Sequence, residues 1–193
     1  MFTLNQLKAV LLAAAKNDIR YYLNGVCVDG NQLIGTNGHL LIKFDIEDCG
    51  YKSLIIPRFE VEWFIKLMDA KRKRNRVNKK DNSVITILKD DADYYLYCEQ
   101  LDVKQWFKPI DANYPDTQRV IPLGRQDMQA ISFDCEYLKL IQTVGKMLYP
   151  HKRGHYAQLE FFGKGNGVKI NYGEDDVCFV LMPVRDIVVF DKK

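Results

Sequence analysis

No C-x-x-C pair and no apolar run of membrane-spanning length occurs in these 193 residues, and histidine is scarce, at three. The five cysteines, Cys27, Cys49, Cys98, Cys135 and Cys178, lie far apart and are odd in number. That argues for reduced thiols rather than disulfides or a zinc site, and so for the cytoplasm. The apolar stretch "AVLLAAA" (9–15) is short and flanked by Lys8 and Lys16, so it reads as neither a membrane span nor a leader. His39 has no Cys or carboxylate at ligand spacing and reads as a structural turn residue. With no convergent nucleophile and base, no phosphate loop and no metal cluster, no enzyme, metal or cofactor is expected.

What is present is the material of a folded domain. Apolar residues make up 47% and aromatics 12%, enough to build a core and to exclude gross disorder. The formal net charge of +3 says little, but its distribution says more. The run "KRKRNRVNKK" (71–80) holds seven of the 28 basic residues and no acid, and the remaining 21 bases face 25 acids. The positive charge is therefore local. It suits either phosphate contact or a solvated helix end whose bases complement the helix C-terminus.

The chain repeats one pattern three times. Leu4 to Lys16 reads as a helix, with Thr3 or Asn5 as its cap. Ile19 to Val28 reads as a strand turning at Asn24-Gly25, followed by Leu33–Thr36 and Leu40–Phe44 paired across Asn37-Gly38. "SLIIP" (53–57) then predicts a strand, Phe59 to Arg72 a helix, and Val84–Lys89 with Tyr94–Glu99 a hairpin. "AISF" (130–133) predicts another strand, Cys135 to Leu148 a third helix, and 158–162, 167–172 and 177–184 three more strands. The second and third helices share wording, "FEVEWF" (59–64) against "FDCEYL" (133–138). Their core stripes are expected to be Val61, Phe64, Ile65 and Met68 in one, and Leu138, Ile141 and Val144 in the other. The result is an α+β chain of three β-α-β-β-β units of roughly 60 residues each, with hairpin-joined antiparallel sheets.

Four stretches, "DIRYYLNGV" (18–26), "GTNGHLL" (35–41), "YPDTQRVIP" (114–122) and "VLMPVR" (180–185), resemble the β subunit of bacterial DNA polymerase III, the sliding clamp, in its own order. The resemblance implies a DNA-clamp fold, with residues 1–122 similar to the complete middle domain and residues 123–193 to the second half of the last. The clamp's first domain and the first half of its third have no counterpart, so a two-subunit ring of the usual size is not expected to close. It also implies a groove for short apolar peptides of polymerases and other DNA enzymes. Its residues carry over to Leu23, Thr36, Gly38, His39, Leu41, Pro122, Val180, Met182, Pro183, Val184 and Arg185. Leu40 and Asn37 depart from the family pattern and imply a less charged groove rim. By the same resemblance Arg20 faces DNA. Lys8, Lys66, Lys139 and Lys146 on helix faces, with Lys71, Arg72, Lys73, Arg74 and Arg76, are candidates for duplex contact without sequence preference.

Two functions follow from this. One is a clamp-like replication or repair accessory protein that binds partner peptides and double-stranded DNA, as a homo-oligomer if it acts as a ring. The alternative is a decoy or adaptor, of the kind a phage would encode, that holds clamp partners without encircling DNA.

Overall fold

The computed structural model describes residues 1–77, 82–91, 93–122, 131–151, 157–163, 165–172 and 177–184. The chain opens with β1 (Phe2–Thr3) and α1 (Leu4–Ala13). Thr3 caps α1 in a reciprocal box: its Oγ1 accepts the Gln6 N–H, and Gln6 Oε1 accepts the Thr3 N–H at 2.8 Å. The helix stops at Ala13, short of the expected Lys16. The carbonyls of Leu11, Ala14 and Ala15 turn instead to the Arg58 guanidinium, which closes the helix end from a distant part of the chain.

Asn24-Gly25 is not a hairpin tip. Tyr21–Leu23 forms a single 3-10 turn, and the Asn24 side chain holds Asp18 at both its N–H and its carbonyl. That local bonding competes successfully with strand pairing. Strand structure begins only at β2 (Gly25–Asp29), followed by β3 (Gln32–Thr36) and β4 (Leu40–Asp45), the last two paired across Asn37-Gly38 as expected. Gly35 faces α1 so closely that a Cβ there would lie 2.0 Å from the Val10 carbonyl oxygen, so only glycine lets the helix sit on the sheet.

β5 (Leu54–Pro57), α2 (Arg58–Arg74), β6 (Val84–Asp90), β7 (Asp93–Cys98) and β8 (Val103–Phe107) form the second unit. The sequence reading left out β8. In "VKQWF" only Val103 and Phe107 are buried, and Asp102 enters the strand through a left-handed turn at φ 47°. The third unit contributes α3 (Cys135–Leu148), capped by Asp134, and then β9 (Gln158–Glu160), β10 (Val168–Asn171) and β11 (Val177–Leu181). Of the expected strand at 130–133, Ala130 lies outside the described residues and 131–133 are not extended into a sheet.

The shared wording of α2 and α3 is not structural equivalence. It begins one residue inside α2 but two residues before α3, so matching letters fall on different faces. Phe64 is fully buried, whereas Leu138 is 40% exposed and leaves its expected core stripe to Ile141, Val144 and Gly145.

Two antiparallel sheets result, ordered β1-β6-β7-β8 and β5-β2-β3-β4-β11-β10-β9. Every strand pairing among the described residues is antiparallel, and the helices share one continuous apolar cluster with both sheets. The longer sheet crosses units: β11 of the third pairs with β4 of the first, setting Val180 opposite Leu41 and Leu181 opposite Leu40.

Candidate functional site

The β4–β11 junction builds the site. The registers align Thr36, Leu41 and Val180 in a row across β3, β4 and β11. Side chains alternate along a strand, so this row points away from the helices and joins Cys27, Ile34 and Ile55 in a second apolar cluster. The segment after β8 crosses that face, packing Ile110, Ala112, Tyr114 and Ile121 on it. Tyr114 Oη accepts the Thr36 N–H at 3.1 Å, and burial pushes its hydroxyl above the ordinary tyrosine range. Burial under the same cover pushes the Cys27 thiol up to about 12, leaving it unreactive.

Where the cover ends, a cavity of about 310 Å³ opens over the row. Leu23, Thr36, Leu41, Val180 and Met182 make its apolar wall, with Gly38 and His39 at its edge. A second cavity of about 540 Å³ continues past His39, lined by Asp134, Tyr137, Pro183 and Val184 and sharing Gly38, His39 and Met182 with the first. The two are halves of one groove.

The turn between them is locked from several sides. Asn37 Oδ1 accepts the N–H groups of His39 and Leu40, both at 2.9 Å. The His39 ring stacks on Tyr137, and its carbonyl accepts the Met182 N–H at 2.9 Å. Arg20 donates to the Asn37 carbonyl at 3.2 Å while its guanidinium grips Asp18 through both carboxylate oxygens, at 3.0 and 2.7 Å. That grip holds the Asp18 carboxyl at about 2 and pushes the Arg20 guanidinium up. Gly38 has φ +87°, a conformation that favours glycine, and a Cβ there would displace the Arg20 guanidinium, whose Nη1 lies 2.9 Å away.

Of the residues carried over by resemblance, Leu23, Thr36, Gly38, His39, Leu41, Val180, Met182, Pro183 and Val184 line these cavities. Pro122 lines neither, and Arg185 lies outside the described residues. Leu40, one of the two departures from the family pattern, also lines the first cavity, although its side chain is buried in the helix-side core. The sequence reading missed Tyr22, Pro115, Asp116, Thr117 and Val120 as wall residues, and Arg20, which the resemblance assigns to DNA contact, also lines the groove. The motif "YPDTQRVIP" held the signal for several of them: Asp116 accepts the Gln118 N–H and starts a 3-10 turn over Thr117–Val120.

The basic candidates divide. Lys66, Lys73, Arg74, Arg76, Lys139 and Lys146 are exposed, and Lys71 is half-buried. Lys8 is tied to Asp69 at 2.7 Å. Arg72 is corrected out of the exposed set: it is 6% exposed, on the face of α2 that carries Val61, Phe64 and Met68. Lys79 and Lys80 lie outside the described residues. Among the described residues no helix is long and apolar enough to cross a membrane.

No family model matches the chain. In sequence it is 26% identical over 132 residues to the beta sliding clamp of Vibrio cholerae, covering 65% of this chain and 32% of that protein. It is 26% identical over 140 residues to the beta sliding clamp of Escherichia coli K12, covering 69% and 34%. The matched stretch thus spans about a third of the length of these curated relatives. Among solved structures, the chain superposes on a DNA polymerase sliding clamp from Pseudomonas aeruginosa with a TM-score of 0.64 at 16% identity, covering 95% of this chain and 64% of that one. The sliding clamp from Bartonella birtlesii bound to griselimycin gives 0.68 at 20% identity, covering 95% and 65%. DNA polymerase III beta subunit from Thermotoga maritima gives 0.65 at 17%, covering 95% and 63%. The fold is the DNA-clamp fold, and the sequence similarity points to the same proteins.

Proposed function

We propose that this chain is a sliding-clamp-like binding protein of DNA replication or repair, and not an enzyme. It takes short apolar peptide motifs of DNA polymerases or repair proteins in the groove over the β4–β11 junction. It contacts duplex DNA without sequence preference through its exposed lysines and arginines. In this reading residues 1–122 act as one complete clamp-like domain, residues 123–193 act as half of another, and the chain works in the cytoplasm.

The observation that carries the reading is the composition of the groove. Leu23, Thr36, Leu41, Val180 and Met182 come from both ends of the chain and meet only through strand pairing. An apolar trough with a flexible Met at its divide and turn backbone at its rim suits a peptide with two apolar anchors. Burying one Leu or Phe there contributes about 1.5–3 kcal/mol. Two anchors, set against the cost of ordering a free peptide, give micromolar affinity. Met182→Ala removes the side chain shared by both halves and should weaken binding roughly tenfold with the fold intact. Titration of a labelled Gln- and Leu-bearing clamp-binding peptide against parent and variant tests this. Equal affinity for both, or no binding to the parent at high micromolar protein, would sink the groove reading.

The second reading, a decoy that binds clamp partners without encircling DNA, has a specific observation in its favour. Burial of Arg72 and neutralisation of Lys8 by Asp69 both thin the basic helix surface. A duplex-binding titration at low salt, with a solution mass, separates the two: a monomer that ignores duplex is a decoy, and a multimer that binds it is a clamp.

A further inference from the structure

α2 turns a stripe of exposed residues away from the core: Phe59, Trp63, Lys66, Ala70 and Lys73. At the pitch of an α-helix these lie within about 80° of one another, opposite the buried Val61, Phe64 and Met68. Phe59 is 67% exposed and Trp63 54% exposed, two large rings one turn apart on a surface where an amphipathic helix ordinarily carries polar side chains. Lys66 follows on the same stripe with its amine 5.9 Å from the Trp63 ring centroid, and Lys73 comes two turns further on.

The acids of α2 do not oppose that charge. Arg58 pairs with Glu62 at 2.8 Å, Lys8 pairs with Asp69 at 2.7 Å, and Glu60 accepts the Gln105 amide at 2.8 Å. No acid among the described residues forms an ion pair with Lys66 or Lys73. The stripe therefore joins flat apolar rings at one end to available cations at the other.

A rival surface shows what this pairing means. The outer face of the shorter sheet also holds an exposed ring, Trp106, with the half-buried Tyr95 against it at 4.7 Å between centroids. There the Lys104 amine already sits over both, 3.6 and 4.1 Å from their centroids, and the adjoining turn carries Asp90, Asp91 and Asp93. Acids adjoin that face, whereas the α2 stripe itself carries none.

We propose that the α2 stripe binds single-stranded nucleic acid, with unpaired bases stacking on Phe59 and Trp63 and the phosphates running along Lys66 and Lys73. Paired bases in a duplex cannot present their faces to the rings, so the stripe favours a single strand. Stacking on aromatics is tolerant of sequence because every base has a π face. The inference rests on the proposed DNA contact for its cations and adds to it the kind of strand.

The chain has two tryptophans, so each can be read alone. In a Trp106→Phe variant, titration with an oligothymidylate of about 16 nucleotides should quench Trp63 emission, and a duplex of the same length should quench it far less. Phe59→Ala with Trp63→Ala should weaken oligothymidylate binding about tenfold, read by anisotropy of a labelled strand, and change duplex binding less than twofold. Lys66→Ala with Lys73→Ala should weaken both. Duplex binding with a silent Trp63 overturns this inference and leaves the proposed function standing, whereas absence of all nucleic-acid binding removes this inference and the proposed DNA contact together and leaves the peptide groove to its own test. Quenching of Trp106 in a Trp63→Phe variant would move the site to the sheet. If the double alanine variant instead disperses a self-associated parent, the stripe belongs to a second copy and the inference falls.

Discussion

The two faces of the seven-stranded sheet are made by the same strands and meet different fates. On the helix side Val26, Ile42, Phe44, Phe179 and Leu181 are fully buried in the main core. On the other side Cys27, Ile34, Leu41, Ile55 and Val180 are covered, among the described residues, by the segment after β8 together with Tyr22, and the cover leaves a cavity open beside Met182. One face is closed by helices and serves stability. The other is closed in part, and the groove lies where closure stops. Period-two alternation lets one strand, β11, serve both: Phe179 and Leu181 face the core, while Val180 faces the groove.

That contrast can be broken from the core side. Phe179 is among the largest fully buried side chains, packed edge-on to Tyr172 at 5.3 Å between centroids. Phe179→Ala should cost about 3–5 kcal/mol in urea unfolding. Met182→Ala, two strand positions past Val180 on the open side, should barely move the midpoint. Comparable losses for the two would mean that the faces do not divide stability from recognition.

The partial cover offers an intermediate test. Tyr114→Phe removes the acceptor of the Thr36 N–H and should cost about 1 kcal/mol. Amide exchange at Thr36 should rise in the variant, because its N–H would then depend on solvent. Unaltered exchange would show that the segment does not hold this wall.

The smallest effect concerns the rim. The Arg20 bonds hold the Asp18 carboxyl at about 2, below its ordinary 3.8. A depressed carboxylate pKa gives stability that is complete above the unfolded value and fades as pH falls through the folded one, so the window lies from about pH 4 down to 2. Arg20 is exposed and Asp18 half-buried at the surface, so solvent screens the pair and the contribution is small. Carboxyl NMR should find Asp18 titrating near 2 in the parent and near its ordinary value in Arg20→Gln. An unchanged titration would separate Asp18 from the lock on the Asn37-Gly38 turn.

Local order was legible in the residues. The Thr3 cap, α2, α3, the β3–β4 pair across Asn37-Gly38 and the β6–β7 hairpin all follow from periodicity and turn chemistry acting over a few residues. The groove residues were reached through four motifs that resemble the sliding clamp, because no local rule connects Leu23 to Met182. Tertiary structure decided the rest. It buried Arg72 on the core stripe of α2 and rotated Leu138 out to solvent. Above all it paired β4 with β11 in a register that sets Leu41 beside Val180. A strand's alternation says which side chains share a face, but any free edge of suitable twist could receive it. Only the packing of α1 and α3 on one core selects the edge, and with it the groove.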